Sequence, residues 1–147
     1  MQYQEVLSTL EHSHICDFCH ESHPYIIYEN EYHFIVPARA PYVDDHLLII
    51  PKRHVILLKD MTHPEIISLH ELVDTWAIKL HKNHQAVNLL LRDGLVSEIS
   101  GKSINHLHFH LIPDCPIGAD DKSLSDREFF DNETYIMVTK KIKEQYL

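Results

Sequence analysis

Three histidines alternate with three apolar residues in the segment 106–112, which reads His-Leu-His-Phe-His-Leu-Ile. Successive side chains of a β-strand point to opposite faces of a sheet. The pattern therefore predicts a strand with apolar side chains in a core and three histidines together on its other face. The alternative is a solvated strand face in a chain rich in histidine. We disfavour it, because the alternation is unbroken and Pro113 ends the segment cleanly.

Four other segments have the composition of strands. Residues 25–28 and 32–36 are rich in aromatic and β-branched side chains and are separated by a polar turn. Residues 46–50 are almost wholly apolar, which is typical of a central strand. Residues 86–92 are predicted to form the strand that precedes the histidine-rich one.

Helical patterns lie between and beside these strands. The run Thr62-His63-Pro64-Glu65 has the form of a capping box with proline in the first turn. Apolar residues then recur at helical spacing, which predicts a helix over residues 63–84. Residues 2–10 and 132–142 are predicted to form a short first helix and a final one. The pattern shows no internal repeat or second domain, so a single domain over residues 1–147 is expected.

The composition narrows the class of protein. The formal net charge of −9 argues against non-specific binding to nucleic acid, which needs many phosphate-neutralising cations. The net charge does not exclude the binding of a single nucleotide in a local pocket. No apolar run approaches the ~20 residues that cross a bilayer, and the first residues are polar and acidic, unlike a targeting signal. These features predict a cytoplasmic protein that does not enter a membrane.

Two of the three cysteines, Cys16 and Cys19, form a Cys-x-x-Cys motif. Such a turn presents two thiolates to one metal ion, and zinc prefers a closed tetrahedral set of four nitrogen or sulfur ligands. Two further ligands are then needed, and His14, His20 and His23 lie close in sequence. A thioredoxin-like redox pair is disfavoured, because the preceding residues are polar and do not form a buried strand. Free thiols without a metal are the third possibility.

The segment 106–112 resembles the signature of the histidine triad (HIT) family, in which three histidines alternate with apolar residues. The segment 46–54 supports the resemblance, since a histidine, an apolar strand, a proline, two basic residues and a histidine precede the long helix. The resemblance covers roughly residues 16–113. It implies an α+β fold with an antiparallel sheet, a long helix packed on it and a homodimer, to which the sequence pattern adds a C-terminal helix.

The resemblance also implies a structural zinc site. In zinc-bearing members of the family, and in the related galactose-1-phosphate uridylyltransferase, the metal is held at the positions that match Cys16, Cys19, His54 and His106. Two thiolates and two imidazoles are a donor set suited to zinc. We favour His54 and His106 over the histidines near the cysteines, because they would join the N-terminal segment to the triad strand.

Catalytic roles follow from the same resemblance. His108 matches the family's nucleophile, which attacks the α-phosphorus of a nucleotide substrate and forms a covalent intermediate. His110 matches the residue that binds the phosphate oxygens. His46 matches a histidine that orients and hydrogen-bonds the nucleophile, although a buried polar group with a structural role is the alternative. Ser103 matches a residue that contacts the leaving group or a phosphate oxygen.

The chain departs from the family pattern in the expected substrate pocket. Many members carry an aspartate at the end of the second strand that holds the ribose, whereas residues 34–37 contain no acid. We keep Phe34, which begins that segment, as a candidate substrate contact. Arg92 stands where the family usually has asparagine, and Lys102 where glutamine is common. Arg92, Lys102 and Arg39 are the candidates to bind phosphate instead.

The expected function is that of a HIT-type nucleotide hydrolase. The expected substrates are nucleoside phosphoramidates, dinucleoside polyphosphates or another nucleotidyl compound. A nucleotidyltransferase would use the same intermediate with a different acceptor. A third class is a non-catalytic nucleotide-binding or zinc-structured interaction protein. The missing ribose acid favours that class slightly, whereas the complete triad favours an enzyme.

Overall fold

The computed structural model describes residues 16–20, 23–97, 99–117 and 127–147. The helix predicted over residues 2–10 and the candidate ligand His14 lie outside the described residues, as do the side chains of His20 and His23. Within the described ranges, no helix combines the length and the apolar run that crossing a bilayer needs.

One antiparallel sheet of five strands forms the centre of the fold. The strands are β1 (Tyr28–Glu29), β2 (His33–Pro37), β3 (Leu47–Pro51), β4 (Val87–Leu91) and β5 (Phe109–Pro113). Their order across the sheet is β1-β2-β3-β5-β4. The apolar β3 is thus central, as the sequence predicts, and β4 lies at an edge. Together with two long helices, α1 (His63–Leu80) and α2 (Asn132–Tyr146), this sheet confirms the α+β fold.

Helix α1 begins at the predicted capping box. The Thr62 side chain accepts a hydrogen bond from the Glu65 backbone, and the Glu65 carboxylate accepts one from the Thr62 backbone. The helix ends at Leu80 and does not reach His84 as the sequence predicts. The reason is that the next residues form a turn, in which both ring nitrogens of His84 bind carboxylates.

The sheet is covered by apolar groups on both faces. The larger cluster lies between the sheet and α1 and includes Ile35, Leu47, Ile49, Trp76, Leu80, Leu107, Phe109 and Leu111. A smaller group, which we call the second apolar cluster, consists of Phe18, Phe34, Val36, Ala38, Leu48 and Ile50. His110 pairs with Leu48 across the β3–β5 ladder, so it lies on the face of the second apolar cluster.

The triad segment keeps the predicted alternation but joins the sheet later than predicted. Strand β5 begins after His106 and His108. The cause lies in β3, which ends at Pro51, a residue that has no backbone N–H to continue the ladder. The backbone N–H of Leu107 donates instead to the carbonyl of Val55 at 2.6 Å. Leu107 is nevertheless fully buried in the larger cluster.

Helix α2 packs against the end of β2. Its N-cap is Asp131, whereas the sequence predicts Asn132, and the helix continues beyond the predicted end at residue 142 to Tyr146. The Tyr135 hydroxyl donates to the Pro37 carbonyl at 2.7 Å. This contact fixes the helix beside the loop that leads to β3.

Candidate functional site

The orientation of the His108 ring is set by the backbone next to it. Nδ1 of His108 lies 2.8 Å from the carbonyl oxygen of His106, and since a carbonyl only accepts, Nδ1 carries the proton. The other nitrogen, Nε2, then has a free lone pair. Burial lowers the pKa of His108 to about 4, and the charges of Lys102 and Arg92 act in the same direction. Near pH 7 the ring is therefore neutral, with one nucleophilic nitrogen.

The His110 ring has the opposite tautomer. The backbone N–H of Tyr42 donates to Nδ1 of His46 at 3.2 Å, so the proton of His46 is on Nε2. That nitrogen lies 2.9 Å from Nδ1 of His110 and donates to it, which leaves the His110 proton on Nε2. Nε2 of His110 is buried and has no partner among the described residues. His110 therefore offers a hydrogen-bond donor that a bound oxygen would satisfy.

These tautomers require neutral rings, and burial provides that condition. It lowers the pKa of His46 to about 3 and the pKa of His110 well below its usual value. The centroids of the His108 and His110 rings are 5.0 Å apart, so the lone pair and the N–H donor belong to neighbouring rings. The structure also corrects the contact predicted for His46: its partner is His110, whereas the His108 ring is held by the backbone.

The four predicted metal ligands lie together. One donor atom from each of Cys16, Cys19, His54 and His106 falls within 4.8 Å of the others. Nδ1 of His106 lies 3.4 Å from the Cys16 sulfur and 3.5 Å from the Cys19 sulfur. Nδ1 of His54 lies 3.1 Å from the Cys19 sulfur. Zn–S bonds of ~2.3 Å and Zn–N bonds of ~2.0 Å at tetrahedral angles would separate sulfur and nitrogen by about 3.5 Å, which these distances fit.

The tautomer of His106 also suits a metal ligand. Its Nε2 lies 2.7 Å from the Pro51 carbonyl and donates to it, so Nδ1 is unprotonated and faces the sulfurs. Phe18, in the 3-10 turn Phe18–His20, packs edge-on against His106 and His108, with centroids 5.9 and 5.1 Å away. Phe18 thus connects the metal-ligand cluster with the candidate nucleophile.

Two predicted phosphate contacts, Lys102 and Arg39, bind backbone carbonyls in the structure. Lys102 is buried, and its ammonium donates to the carbonyls of Ile56 and Gly94 at 2.8 and 2.9 Å. It therefore braces the loop before the triad, and its donors are directed to the backbone. Arg39 donates to the Phe130 carbonyl at 3.0 Å and holds the C-terminal segment. Both cations thus have partners within the protein, and their contact with phosphate stays a prediction.

The other predicted substrate contacts border the histidines. Phe34 is buried in the second apolar cluster. Ser103 is half-buried in the loop that leads to the triad. Arg92 donates to the Tyr42 hydroxyl at 3.1 Å, and the Tyr42 ring stacks on His46 with centroids 5.3 Å apart. Arg92 is therefore linked to the histidines through Tyr42.

Comparison with known proteins assigns the family. The profile of the HIT domain matches residues 20–116. The chain belongs to the HIT family. This HIT chain is 32% identical over 92 residues to a bis(5'-adenosyl)-triphosphatase of Saccharomyces cerevisiae. The aligned region covers 60% of the HIT chain and 43% of the yeast protein. The HIT chain is 27% identical over 96 residues to a protein of the same name from Dictyostelium discoideum, with 60% and 58% covered. The HIT chain therefore spans less than two thirds of the length of either relative.

A solved structure shares the fold of the HIT chain. It is a zinc-bound histidine triad family protein from Mycobacterium smegmatis, with a TM-score of 0.63 and 23% sequence identity. The similarity covers 90% of the HIT chain and 96% of that protein. At this identity the similarity concerns the fold.

Three residues beside the triad of this HIT protein are not identified by reasoning from the sequence: Phe18, Tyr42 and Arg127. Phe18 could have been found from the sequence, because it lies between Cys16 and Cys19 in the Cys-x-x-Cys motif. A residue in that short turn must lie beside the metal-ligand cluster. Tyr42 and Arg127 have no such signal. They meet across 85 positions of sequence, since the guanidinium of Arg127 lies over the Tyr42 ring.

Proposed function

We propose that this HIT protein hydrolyses a nucleotidyl substrate at its α-phosphate through a covalent intermediate on His108. The observation that carries the proposal is the pair of opposite tautomers, in which His108 presents a lone pair and the neighbouring His110 an N–H group. Displacement at phosphorus needs a nucleophile. It is accelerated by a hydrogen-bond donor that stabilises the negative charge on the phosphate oxygens in the transition state. The name shared by the curated relatives, bis(5'-adenosyl)-triphosphatase, supports a substrate of this class.

The reaction takes two steps. In the first, Nε2 of His108 bonds to the α-phosphorus, and the bond to the leaving group breaks with its electron pair. The ring gains positive charge, which the His106 carbonyl stabilises at the Nδ1 proton. Nε2 of His110 donates to a phosphate oxygen, which supplies a partner that this buried nitrogen does not have among the described residues. In the second step water attacks the same phosphorus and loses a proton. The phosphorus–nitrogen bond breaks, its electron pair returns to Nε2 of His108, and the nucleoside monophosphate is released.

The second apolar cluster is the proposed surface for the nucleoside. Phe18 and Phe34 belong to this cluster, and Phe18 is in edge contact with the His108 ring. Both rings are almost fully buried, so a nucleobase would contact only the edges that remain exposed, next to the His108 ring. Ser103 is the proposed contact with the leaving group or a phosphate oxygen. The substrate is accordingly a dinucleoside polyphosphate or a nucleoside phosphoramidate.

We also propose that Cys16, Cys19, His54 and His106 hold a structural zinc ion. The donor set, the distances between donor atoms and the tautomer of His106 support this assignment. The metal would join the segment that contains Phe18 to the triad, because the free energy of binding to such a site adds to that of folding. No step of the reaction is assigned to the metal.

The test uses diadenosine triphosphate labelled at its α-phosphates. Reactions are stopped at alkaline pH, where a phosphorus–nitrogen bond on histidine survives. We expect labelled AMP and a transiently labelled protein. His108→Ala should form no labelled protein, and its turnover should fall by orders of magnitude, because the nucleophile is gone.

His106→Ala is the matched control, because it removes a histidine of the same segment. It should lose the metal and melt at a lower temperature, whereas His108→Ala should keep about one zinc per chain. Full turnover by His108→Ala would contradict the nucleophile. Loss of zinc from His108→Ala but not from His106→Ala would contradict the metal assignment. Label that remains on the protein without release of AMP would indicate a nucleotidyltransferase without its acceptor.

A further inference from the structure

A series of contacts connects the triad with a guanidinium group from a distant part of the chain. Tyr42 stacks on His46, with ring centroids 5.3 Å apart and planes inclined by 26°. The guanidinium carbon of Arg127 lies 4.0 Å from the centroid of the Tyr42 ring. His46 is in turn hydrogen-bonded to His110. Arg127 also donates to the Ala40 carbonyl at 2.6 Å, which fixes it beside the loop before β3.

Arg92 contacts the same tyrosine from the end of β4. Its Nη2 donates to the Tyr42 hydroxyl at 3.1 Å. The side chain passes close to Gly101, where an added Cβ would lie 3.0 Å from Nε of Arg92. Gly101 has a φ of +67°, so glycine suits both the backbone and the passage of the arginine. The side chain of Arg92 is therefore held next to Tyr42.

The positive charges of both arginines act on the buried histidines of the site. The chain as a whole carries a net charge of −9. Burial is the main cause of the low pKa values of His46 and His110, and the charges of both arginines lower them further. Cations beside neutral, buried histidines favour the binding of an anion at this place.

We propose that Arg92, Tyr42 and Arg127 form a binding site for the phosphates of an anionic leaving group. The inference rests on the proposed function and selects the substrate class: a nucleotide whose α-phosphate carries further phosphates. When His108 bonds to the α-phosphorus, the bond from phosphorus to the bridging oxygen breaks, and its electron pair leaves with that oxygen. The leaving phosphate gains negative charge, which the two guanidinium groups stabilise.

A phosphoramidate offers this site no comparable ligand. Its leaving group is an amine, which takes up a proton as the phosphorus–nitrogen bond breaks and which carries no phosphate. The two arginines therefore stabilise the transition state for a polyphosphate much more than the transition state for a phosphoramidate. The difference between the two substrates isolates the contribution of the leaving-group site.

The test compares kcat/KM for diadenosine triphosphate with kcat/KM for adenosine 5′-phosphoramidate. Arg92→Gln and Arg127→Gln should each lower the ratio of the two values roughly ten-fold or more, as the loss of a charge-assisted hydrogen bond predicts. Arg127→Lys keeps the charge and should recover part of the ratio. Both values come from the same preparation, so the ratio does not depend on the folded fraction of a variant.

Lys140→Gln is the control, because it removes one positive charge at an exposed position of α2. It should leave the ratio at the value of the parent protein. An unchanged ratio in both arginine variants, with turnover of both substrates, would overturn the leaving-group site and leave the hydrolase proposal standing. An equal fall in Lys140→Gln would also overturn the site, since overall charge would then explain the preference. Turnover of neither substrate by the parent protein would overturn the proposed function itself.

Discussion

Three identical side chains of the triad differ in chemistry because they differ in which ring nitrogen the protein engages and in whether that nitrogen donates or accepts. His106 donates from Nε2 to a backbone carbonyl, which frees Nδ1 for a metal. His108 donates from Nδ1, which frees Nε2 as a nucleophile. His110 accepts at Nδ1 from His46, which makes Nε2 a donor. The division of roles therefore depends on neighbouring acceptors and donors, because the imidazole ring itself is the same at each position.

A prediction on pH follows from the low pKa of His108. Its pKa of about 4 keeps Nε2 unprotonated throughout the neutral range. We therefore expect kcat/KM for diadenosine triphosphate to stay constant between pH 6 and pH 8. For an unperturbed histidine with a pKa of ~6.5, the neutral fraction would be about four-fold lower at pH 6 than at pH 8. A measured four-fold fall at acid pH would show that the nucleophile is not buried as described.

The alternation of the segment 106–112 was sufficient to predict which residues form the triad, but not what each ring contacts. The contact of His46 with His110 joins positions 64 residues apart, and the sequence pattern contains no information on that distance. The metal-ligand cluster was predictable residue by residue, because the Cys-x-x-Cys motif and the resemblance supplied all four positions. The position of Lys102 was not, since the carbonyls that bind its ammonium belong to two separate loops.

At the scale of elements, one ion-pair cluster joins three parts of the fold. His84 follows α1, Asp45 precedes β3 and Asp114 follows β5. Nε2 of His84 lies 2.7 Å from Asp45, and Nδ1 lies 2.9 Å from Asp114. Partial burial opposes the charged ring, but the two carboxylates outweigh it and raise the pKa of His84. Both aspartates have positive φ, 63° and 53°, which non-glycine residues adopt rarely.

This cluster predicts a pH-dependent contribution to stability. A raised pKa means that His84 stabilises the fold below its unfolded pKa of ~6.5, and that this contribution disappears as the pH rises through the folded pKa. His84→Gln should therefore lower Tm by roughly 2–4 °C at pH 6, and by less at pH 9. His81→Gln, at the exposed C-cap of α1, is the control and should change Tm little at either pH. An equal loss at both pH values would contradict the charge on His84.

The same cluster explains why the end of α1 was not predictable from periodicity. The start of the helix depends on Thr62 and Glu65, which are neighbours in sequence and form a recognisable pattern. Its end depends on carboxylates at positions 45 and 114, which only the folded sheet brings to His84. Local patterns therefore predicted the element and its first residue, and tertiary contacts decided where it stops.

At the scale of the whole molecule, the average charge and its distribution have different consequences. The net charge of −9 was visible in the sequence and argued against binding to bulk nucleic acid. The meeting of Arg92 and Arg127 at Tyr42 was not visible, because it needs the end of β4 and the segment before α2 to converge on one loop. A protein that is acidic overall therefore has two arginines on one tyrosine beside its triad.

The edge of the sheet leads to a prediction on assembly. Strand β4 lies at an edge, and Leu89 on it is 54% exposed. An edge strand with an exposed apolar side chain favours pairing with another chain. We expect a homodimer in sedimentation at micromolar concentration, and Leu89→Lys should shift it toward monomer, because a charge on an edge opposes pairing. Met137→Lys is the matched control, since Met137 is 64% exposed but lies on α2. A monomeric parent protein, or an equal shift in both variants, would contradict assembly through β4.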